Sequence, residues 1–478
     1  MSLKQKAIKG VSWNLIDRFG RQGIKFILNI ILARLLTPEA FGLVGMITVF
    51  FAVAQVFIES GFGQAYIQKK EATHIDANTV FFTNLFLSLA LYGILWLSAP
   101  LIARFYEEPK LIDLIHVMGL VIIINAFNVI QVAKLSRAIN FKSMAKVNLV
   151  STIFAGTSGI TAAYYGLGVW SLVIQSLTNR SLSTAGLWFL TKWKPSLQIS
   201  KDSFKEMFSF GSWVLFASII RKIFDNIYIL VIGKVFTTGD LGLYTKSKQF
   251  KVLASEQISK AIGLVAFPIF SKLQSNNDTL RKGMKSFLQQ SFLFMIPLLT
   301  ILIVVAKPFV ILLLTEKWAP MIPFLQLFCI LGILFPIRFL NVQVLKAKGK
   351  SNVVFKLEMI RNVMRVLNII LMYRWGISYI IIGEITLTFI TIIITTFFIH
   401  KLINYGFSKQ LKDTKEIIFG AIISGTIGFF SDLYIINLWH SLIFVSLIIL
   451  AIYILTQYFL NKFVLIKALE NIKITRKS

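Results

Sequence analysis

Residues 34–43 read Arg34-Leu35-Leu36-Thr37-Pro38-Glu39-Ala40-Phe41-Gly42-Leu43, and at an offset of 200 residues 234–243 read Lys234-Val235-Phe236-Thr237-Thr238-Gly239-Asp240-Leu241-Gly242-Leu243. A base, a threonine and an apolar-Gly-Leu triplet recur in the same register. Outward from this stretch the offset holds: Trp13 matches Trp213, Arg21 matches Arg221, and Gly63 matches Gly263. Matched leucines would mean little between two Leu/Ile-rich segments, whereas matched Trp, Arg, Thr and Gly without a gap mean more. The repeat predicts two homologous six-helix lobes, 1–191 and 208–400, joined by a polar cytoplasmic linker, 192–207. An extra helix pair, 401–460, and a basic cytoplasmic tail, 461–478, complete the expected organisation.

The lobes read as membrane-embedded. Apolar stretches near 12–34, 40–66, 79–103, 111–132, 147–165 and 168–190 make the first six spans. Those near 208–232, 241–270, 286–306, 321–345, 353–373, 377–400, 415–432 and 435–460 bring the total to about fourteen, each long enough for ~30 Å of hydrocarbon. The expectation is an all-α polytopic membrane protein. Of its residues 56% are hydrophobic and only 15% charged, yet 50 Lys+Arg stand against 21 Asp+Glu, a net charge of +29. Such a balance argues against a soluble enzyme or a nucleic-acid-binding protein. Most of the bases fall in alternate loops, among them Lys69-Lys70, Lys134 to Lys146, Lys192 to Lys205, Lys272 to Lys285, Lys346 to Lys356 and Lys401 to Lys415. By the positive-inside rule both termini are then cytoplasmic. The first span carries Asp17, Arg18 and Arg21 instead of a clean apolar run, so it is not expected to be a cleaved leader.

Thirteen bases remain inside the spans: Arg18, Arg21, Lys25, Arg180, Arg221, Lys222, Lys246, Lys248, Lys251, Lys260, Arg338, Arg361 and Arg365. Six acids accompany them: Asp17, Glu59, Asp225, Glu256, Glu358 and Glu384. Each charge at mid-bilayer costs about 2.5–3.5 kcal/mol, so most must face water or one another. Asp17, Arg21 and Lys25 repeat at i, i+4, i+8, Arg221 and Asp225 form the matching stripe, and Lys246, Glu256 and Lys260 share one face of an ideal helix. The plainer reading is that Asp17–Arg21, Arg221–Asp225 and Glu256–Lys260 are intrahelical pairs that only neutralise each other. It leaves the basic surplus unexplained. A hydrated basic cavity between the lobes, suited to an anionic substrate, explains it. Glu59 and Glu384 stand alone in apolar helices and read as proton or sodium coupling sites, or as carboxylates hydrogen-bonded at packing points or paired with a nearby base. Pro268, Pro297 and Pro336 interrupt second-lobe helices, and no proline is expected inside those of the first.

Other chemistries lack their residues. Cys329 is the sole cysteine, and the four histidines, His74, His116, His400 and His440, are scattered, so no metal site is expected. Gly349-Lys350-Ser351 ends like a phosphate-binding loop, but Val344 stands where that loop needs glycine. The outward loops are too short for a catalytic domain. Neither a cofactor nor enzymatic activity is expected.

Several stretches resemble bacterial polysaccharide flippases of the Wzx type. They include Glu59 to Lys70, Ala99 to Tyr106, Arg137 to Lys142 and Tyr165 to Trp170 in the first lobe. In the second, Asp225-Asn226, Leu241 to Tyr244, Glu316 to Trp318 and Ala347 to Gly349 are similar to family positions. The resemblance spans essentially the whole chain and is closest to the colanic-acid exporter-like branch of the multidrug/oligosaccharidyl-lipid/polysaccharide superfamily. It implies a V-shaped, MATE-like pair of bundles in the bacterial inner membrane. It also implies a substrate, an undecaprenyl-diphosphate-linked oligosaccharide, moved from the cytoplasmic to the periplasmic leaflet by alternating access. Polysaccharide polymerase and glycosyltransferases are the implied partners. By position, Arg21, Lys25, Arg221, Lys222, Lys248 and Lys251 would bind the diphosphate or acidic sugars. Coupling to H⁺ or Na⁺, if present, would fall to Asp17, Glu59, Asp225, Glu256 or Glu384. Where the branch has Asp before Gly near the end of the second helix, this chain has Glu59-Ser60-Gly61. The extra helix pair is similar to that of lipid II flippases, where it forms a groove for the polyprenyl tail. A multidrug or cation exporter would favour an acidic or aromatic pocket, which the basic surplus opposes. A non-transporting scaffold of a glycan assembly complex would need no cavity.

Overall fold

The computed structural model describes residues 3–59, 62–462 and 465, except for the side chains of 3–12, 14–16, 18, 59, 206–214, 216 and 217. The expectations for Glu59, Arg18, Trp213 and the tail from 466 onward therefore lie outside the described residues or side chains. The described chain is helical throughout and divides into two compact units, Met1–Gly242 and Leu243–Ser478.

Unit 1 holds α1 (Leu3–Leu35), α2 (Pro38–Glu59), α3 (Phe62–Gln68), α4 (His74–Tyr106), α5 (Leu111–Arg137), α6 (Phe141–Tyr164), α7 (Trp170–Thr191) and α8 (Lys201–Val235). Here α1 packs on α6, α6 on α7, and α5 between α4 and α7, while α2, α3 and α4 lean on α8. Close approach rests on small residues. A Cβ on Gly156 would strike Leu28, and one on Gly186 would lie 2.8 Å from Val147. The polar linker is anchored to the bundle. Trp193 is buried in an aromatic cluster with Phe81 and Trp188. Asn78 donates to Ser196 Oγ at 2.6 Å, and the Ser200 amide donates to Thr79 Oγ1 at 3.1 Å. Helix α8 opens at Lys201 rather than near 208, because Ser200 caps it and accepts from the Ser203 amide. Asp76 completes the joint. Its carboxylate takes Lys69 Nζ at 3.0 Å, the Thr73 amide at 2.8 Å and Ser203 Oγ at 2.7 Å, tying the start of α4 to α8. Pro100 lies inside α4, against the expectation that proline spares first-lobe helices.

Unit 2 follows from α9 (Thr238–Lys251), which straddles the boundary and runs through a π-helical turn, Val252–Glu256, into α10 (Gln257–Lys272). Then come α11 (Asn277–Val304), α12 (Ala306–Leu314), α13 (Ile322–Ala347), α14 (Ser351–Met372), α15 (Ile377–Ile403), α16 (Phe407–Tyr434), the one-turn α17 (Leu438–His440) and α18 (Ser446–Leu460). Its core gathers Phe270, Leu288, Phe292, Leu340, Ile399 and Tyr453. Pro268, Pro297 and Pro336 fall inside α10, α11 and α13 as expected. Asn341 on α13 and Gln410 on α16 exchange buried amide hydrogen bonds at 3.2 and 2.9 Å.

Among the described residues, nine helical segments are long and apolar enough to cross a bilayer. Five further helices have the length but not the apolarity: α1, α6, α7, α8 and α14, of 33, 24, 22, 35 and 22 residues. At 1.5 Å per residue even the shortest is about 33 Å long. These five carry most of the span charges.

The two copies of the opening motif meet at the start of α2 and of α9, within unit 1. A Cβ on Gly42 would overlap the Thr238 carbonyl, and one on Gly242 would overlap the Pro38 carbonyl. The contact is reciprocal, as a two-fold relation between the copies requires. On α9, Thr237 and Asp240 form a capping box, with Asp240 Oδ2 accepting from Thr237 Oγ1 at 2.7 Å. Gly42→Ala is expected to cost about 1–3 kcal/mol or more, because backbone must move to admit the methyl. Gly93→Ala, at a helical glycine with open space around it, should leave stability unchanged or slightly raised. Thermal midpoints of the two purified variants in detergent check the contrast.

Candidate functional site

In unit 1 the predicted stripe of α1 forms. Arg21 donates to Asp17 Oδ2 at 2.7 Å, so these two are the expected intrahelical pair. One turn on, Lys25 lines a cavity of 270 Å³ with Asn29, Gln175, Asn179 and Arg180. The wall is built from amides because α6 and α7 close on each other through polar contacts. Asn179 donates to Thr152 Oγ1 at 3.5 Å, Thr152 to the Asn148 carbonyl at 2.7 Å, and Ser183 to Asn148 Oδ1 at 3.2 Å. A second cavity, of 340 Å³, is lined by Gln55, Gln64, Asn125 and Asn128, and again by Arg180. Asn125 donates to Gln55 Oε1 at 2.8 Å, joining α5 to α2. Arg180 is thus the cationic group common to both.

The α8 candidates are more open. Arg221 and Asp225 are exposed and Lys222 is half-buried. At the far end of α8, Lys234 donates to Glu107 Oε1 at 2.7 Å, and this bond, reinforced by the lysine's charge, holds the Glu107 carboxyl below its usual range.

Unit 2 concentrates charge. Lys251 and Lys260 both pair with Glu256, at 2.9 and 3.0 Å. The second pair has the expected i,i+4 spacing. The first has i,i+5 spacing, which the π turn brings into register. That turn also breaks the predicted Lys246–Glu256–Lys260 face: Lys246 is buried with its ammonium 5.6 Å from the Trp318 ring centre, while Lys260 is exposed. On α13 and α14, Arg338 and Arg361 flank Glu358 at 3.1 and 3.5 Å. Glu384 on α15 is buried and paired with Arg365 at 3.3 Å, which is the paired-carboxylate alternative among its sequence readings. The charges of Arg365, Lys251, Lys248 and Arg361 all act on Glu384. Six bases (Lys248, Lys251, Lys260, Arg338, Arg361, Arg365) therefore share one cluster with three acids (Glu256, Glu358, Glu384), three more bases than acids.

Of the residues singled out in the sequence, the structure gathers Lys248, Lys251, Glu256 and Glu384 in unit 2, and Asp17, Arg21 and Lys25 along α1. Arg180, Arg338, Glu358, Arg361 and Arg365 were visible as span charges, but their cross-helix partners were not. The amides of the unit 1 cavities went unread, although Asn125 and Asn128 inside an apolar run were a signal.

Fold and interior define a multi-pass membrane protein with a polar, net-basic interior. The chain belongs to the polysaccharide biosynthesis protein family, whose model matches residues 31–323. It is 28% identical over 356 residues to the teichuronic acid biosynthesis protein TuaB of Bacillus subtilis, covering 74% of each chain. It is also 28% identical over 368 residues to the lipopolysaccharide biosynthesis protein WzxC of Escherichia coli, covering 76% of this chain and 74% of that one. Its fold matches the inward-closed lipid II flippase MurJ with a TM-score of 0.76 over 95% of this chain and 99% of the other, at 14% identity.

Breaking a buried pair strands a charge. Arg365→Ala should destabilise the protein by about 3–5 kcal/mol, and the double variant Arg365→Ala/Glu384→Gln should recover much of that loss. A double-mutant cycle on thermal midpoints measures the difference.

Proposed function

We propose that the protein flips an undecaprenyl-diphosphate-linked oligosaccharide from the cytoplasmic to the periplasmic leaflet by alternating access, with no covalent step. The observation that carries this reading is the excess of bases over acids within the unit 2 cluster, a setting that lowers the cost of moving a diphosphate. The amide-lined cavities around Arg180 suit sugar hydroxyls, which both donate and accept hydrogen bonds. Family membership supports a role in surface polysaccharide assembly, and the fold shared with MurJ supports flipping.

On this reading the five charged long helices also cross the bilayer, making fourteen spans in a bacterial inner membrane with both termini cytoplasmic. No cofactor is involved. If transport is driven by H⁺ or Na⁺, the acids that could take the ion in unit 2, Glu256 and Glu384, must first give up their basic partners. Polymerase and glycosyltransferases of the same assembly line are the proposed partners.

The test is a reconstituted vesicle assay with a fluorescent polyprenyl-diphosphate oligosaccharide. The wild type should move the label across the bilayer, and Lys248→Gln/Arg361→Gln should slow it about tenfold or more, as expected for losing charge-assisted hydrogen bonds. Label movement no faster than in protein-free vesicles overturns the proposal. Arg21→Ala/Arg221→Ala at confirmed expression separates the two sets of bases: undiminished flipping would remove the α1 and α8 arginines from the mechanism.

A further inference from the structure

A further cavity, of 470 Å³, shares no lining residue with the charged cluster and sits at the end of unit 2 where α11 and α16 begin and α18 ends. From α11 it takes Lys282, Lys285, Gln289 and Gln290, spaced as one helical face, and from α16 Lys412 and Lys415. Two acids share the lining, Asp413 and Glu416, so the lysines outnumber them two to one. Asp413 has a holding role: its carboxylate accepts from Lys285 Nζ at 2.6 Å and its backbone carbonyl from Gln289 Nε2 at 2.8 Å. Lys282, Lys412 and Lys415 are exposed.

A second observation bears on what fills it. Along α16, Lys415, Phe419 and Ile422 follow one another at i, i+4 and i+7, all exposed, so the basic rim continues directly into an apolar stripe on the same helix face. Helices α16 and α18 are both apolar enough to span a bilayer. A soluble anion would use the lysines but has no need of the stripe. An anionic lipid uses both: its phosphate sits among the lysines and the amides of Gln289 and Gln290, and its acyl chain lies along Phe419 and Ile422.

We infer that this cavity is a binding site for the phosphate headgroup of an anionic membrane lipid, on the side of the protein that carries the basic loops.

The experiment is native mass spectrometry on the purified full chain in nonionic detergent, titrated with phosphatidylglycerol or with phosphatidylcholine of the same chain length. Preferential, saturable retention of phosphatidylglycerol is expected. Lys282→Gln/Lys412→Gln/Lys415→Gln should weaken it on the order of tenfold or more, since a lysine near a headgroup contributes about a factor of five, while the corresponding Arg variants keep it. Equal retention of the two lipids, or an unchanged affinity in the Gln variant, overturns the inference. Displacement of the lipid by inorganic phosphate at comparable concentration also overturns it, marking a soluble-anion site instead. Should the Gln variant not be recovered folded, the comparison of the two lipids on the wild type decides.

Discussion

A charge placed in an apolar helix must find a partner or water, and the interior of this protein is arranged around that requirement. Every span acid whose side chain is described on α1, α10's approach, α14 and α15 is met by a base: Asp17 by Arg21, Glu256 by two lysines, Glu358 by two arginines, and Glu384 by Arg365. Pairing alone would neutralise these helices and leave them inert. The bases outnumber the acids, however, so the unit 2 cluster keeps a positive field after its internal pairs are satisfied. A field of that kind persists only in a low-dielectric surrounding, which is what the apolar helices α13 and α15 provide.

The two units meet the requirement differently. Unit 1 lines its cavities with Asn and Gln among apolar side chains around a shared arginine, whereas unit 2 relies on interleaved ion pairs. Amides cost less to bury than charges and can serve as donor and acceptor at once. Unit 1 thus buries amides where unit 2 buries charges.

Much of this was legible in the chain. The apolar runs mark the helices, and the repeat marks the glycines whose close backbone contact the fold contains. Pairs within one helix, such as Asp17–Arg21, follow from spacing of four. What spacing cannot supply is a partner on another helix, which is why Glu384 reads as solitary and Arg180 as one base among many. The π turn at Val252–Glu256 is hidden for a related reason: no residue type demands it, and it changes which side chains share a face. The compact boundary at Gly242 is equally invisible, because α8 belongs to the second sequence repeat yet packs on α2, α3 and α4. Sequence kinship and packing kinship need not coincide.

The reciprocal approach of Gly42 and Gly242 limits which residues the joint can ever accept. At this joint each glycine is held small by backbone belonging to the other copy. A side chain acquired by either would be resisted by a carbonyl, which no substitution can trim. The position is therefore closed to side chains from both directions, and a change at one glycine cannot be relieved by a change at the other.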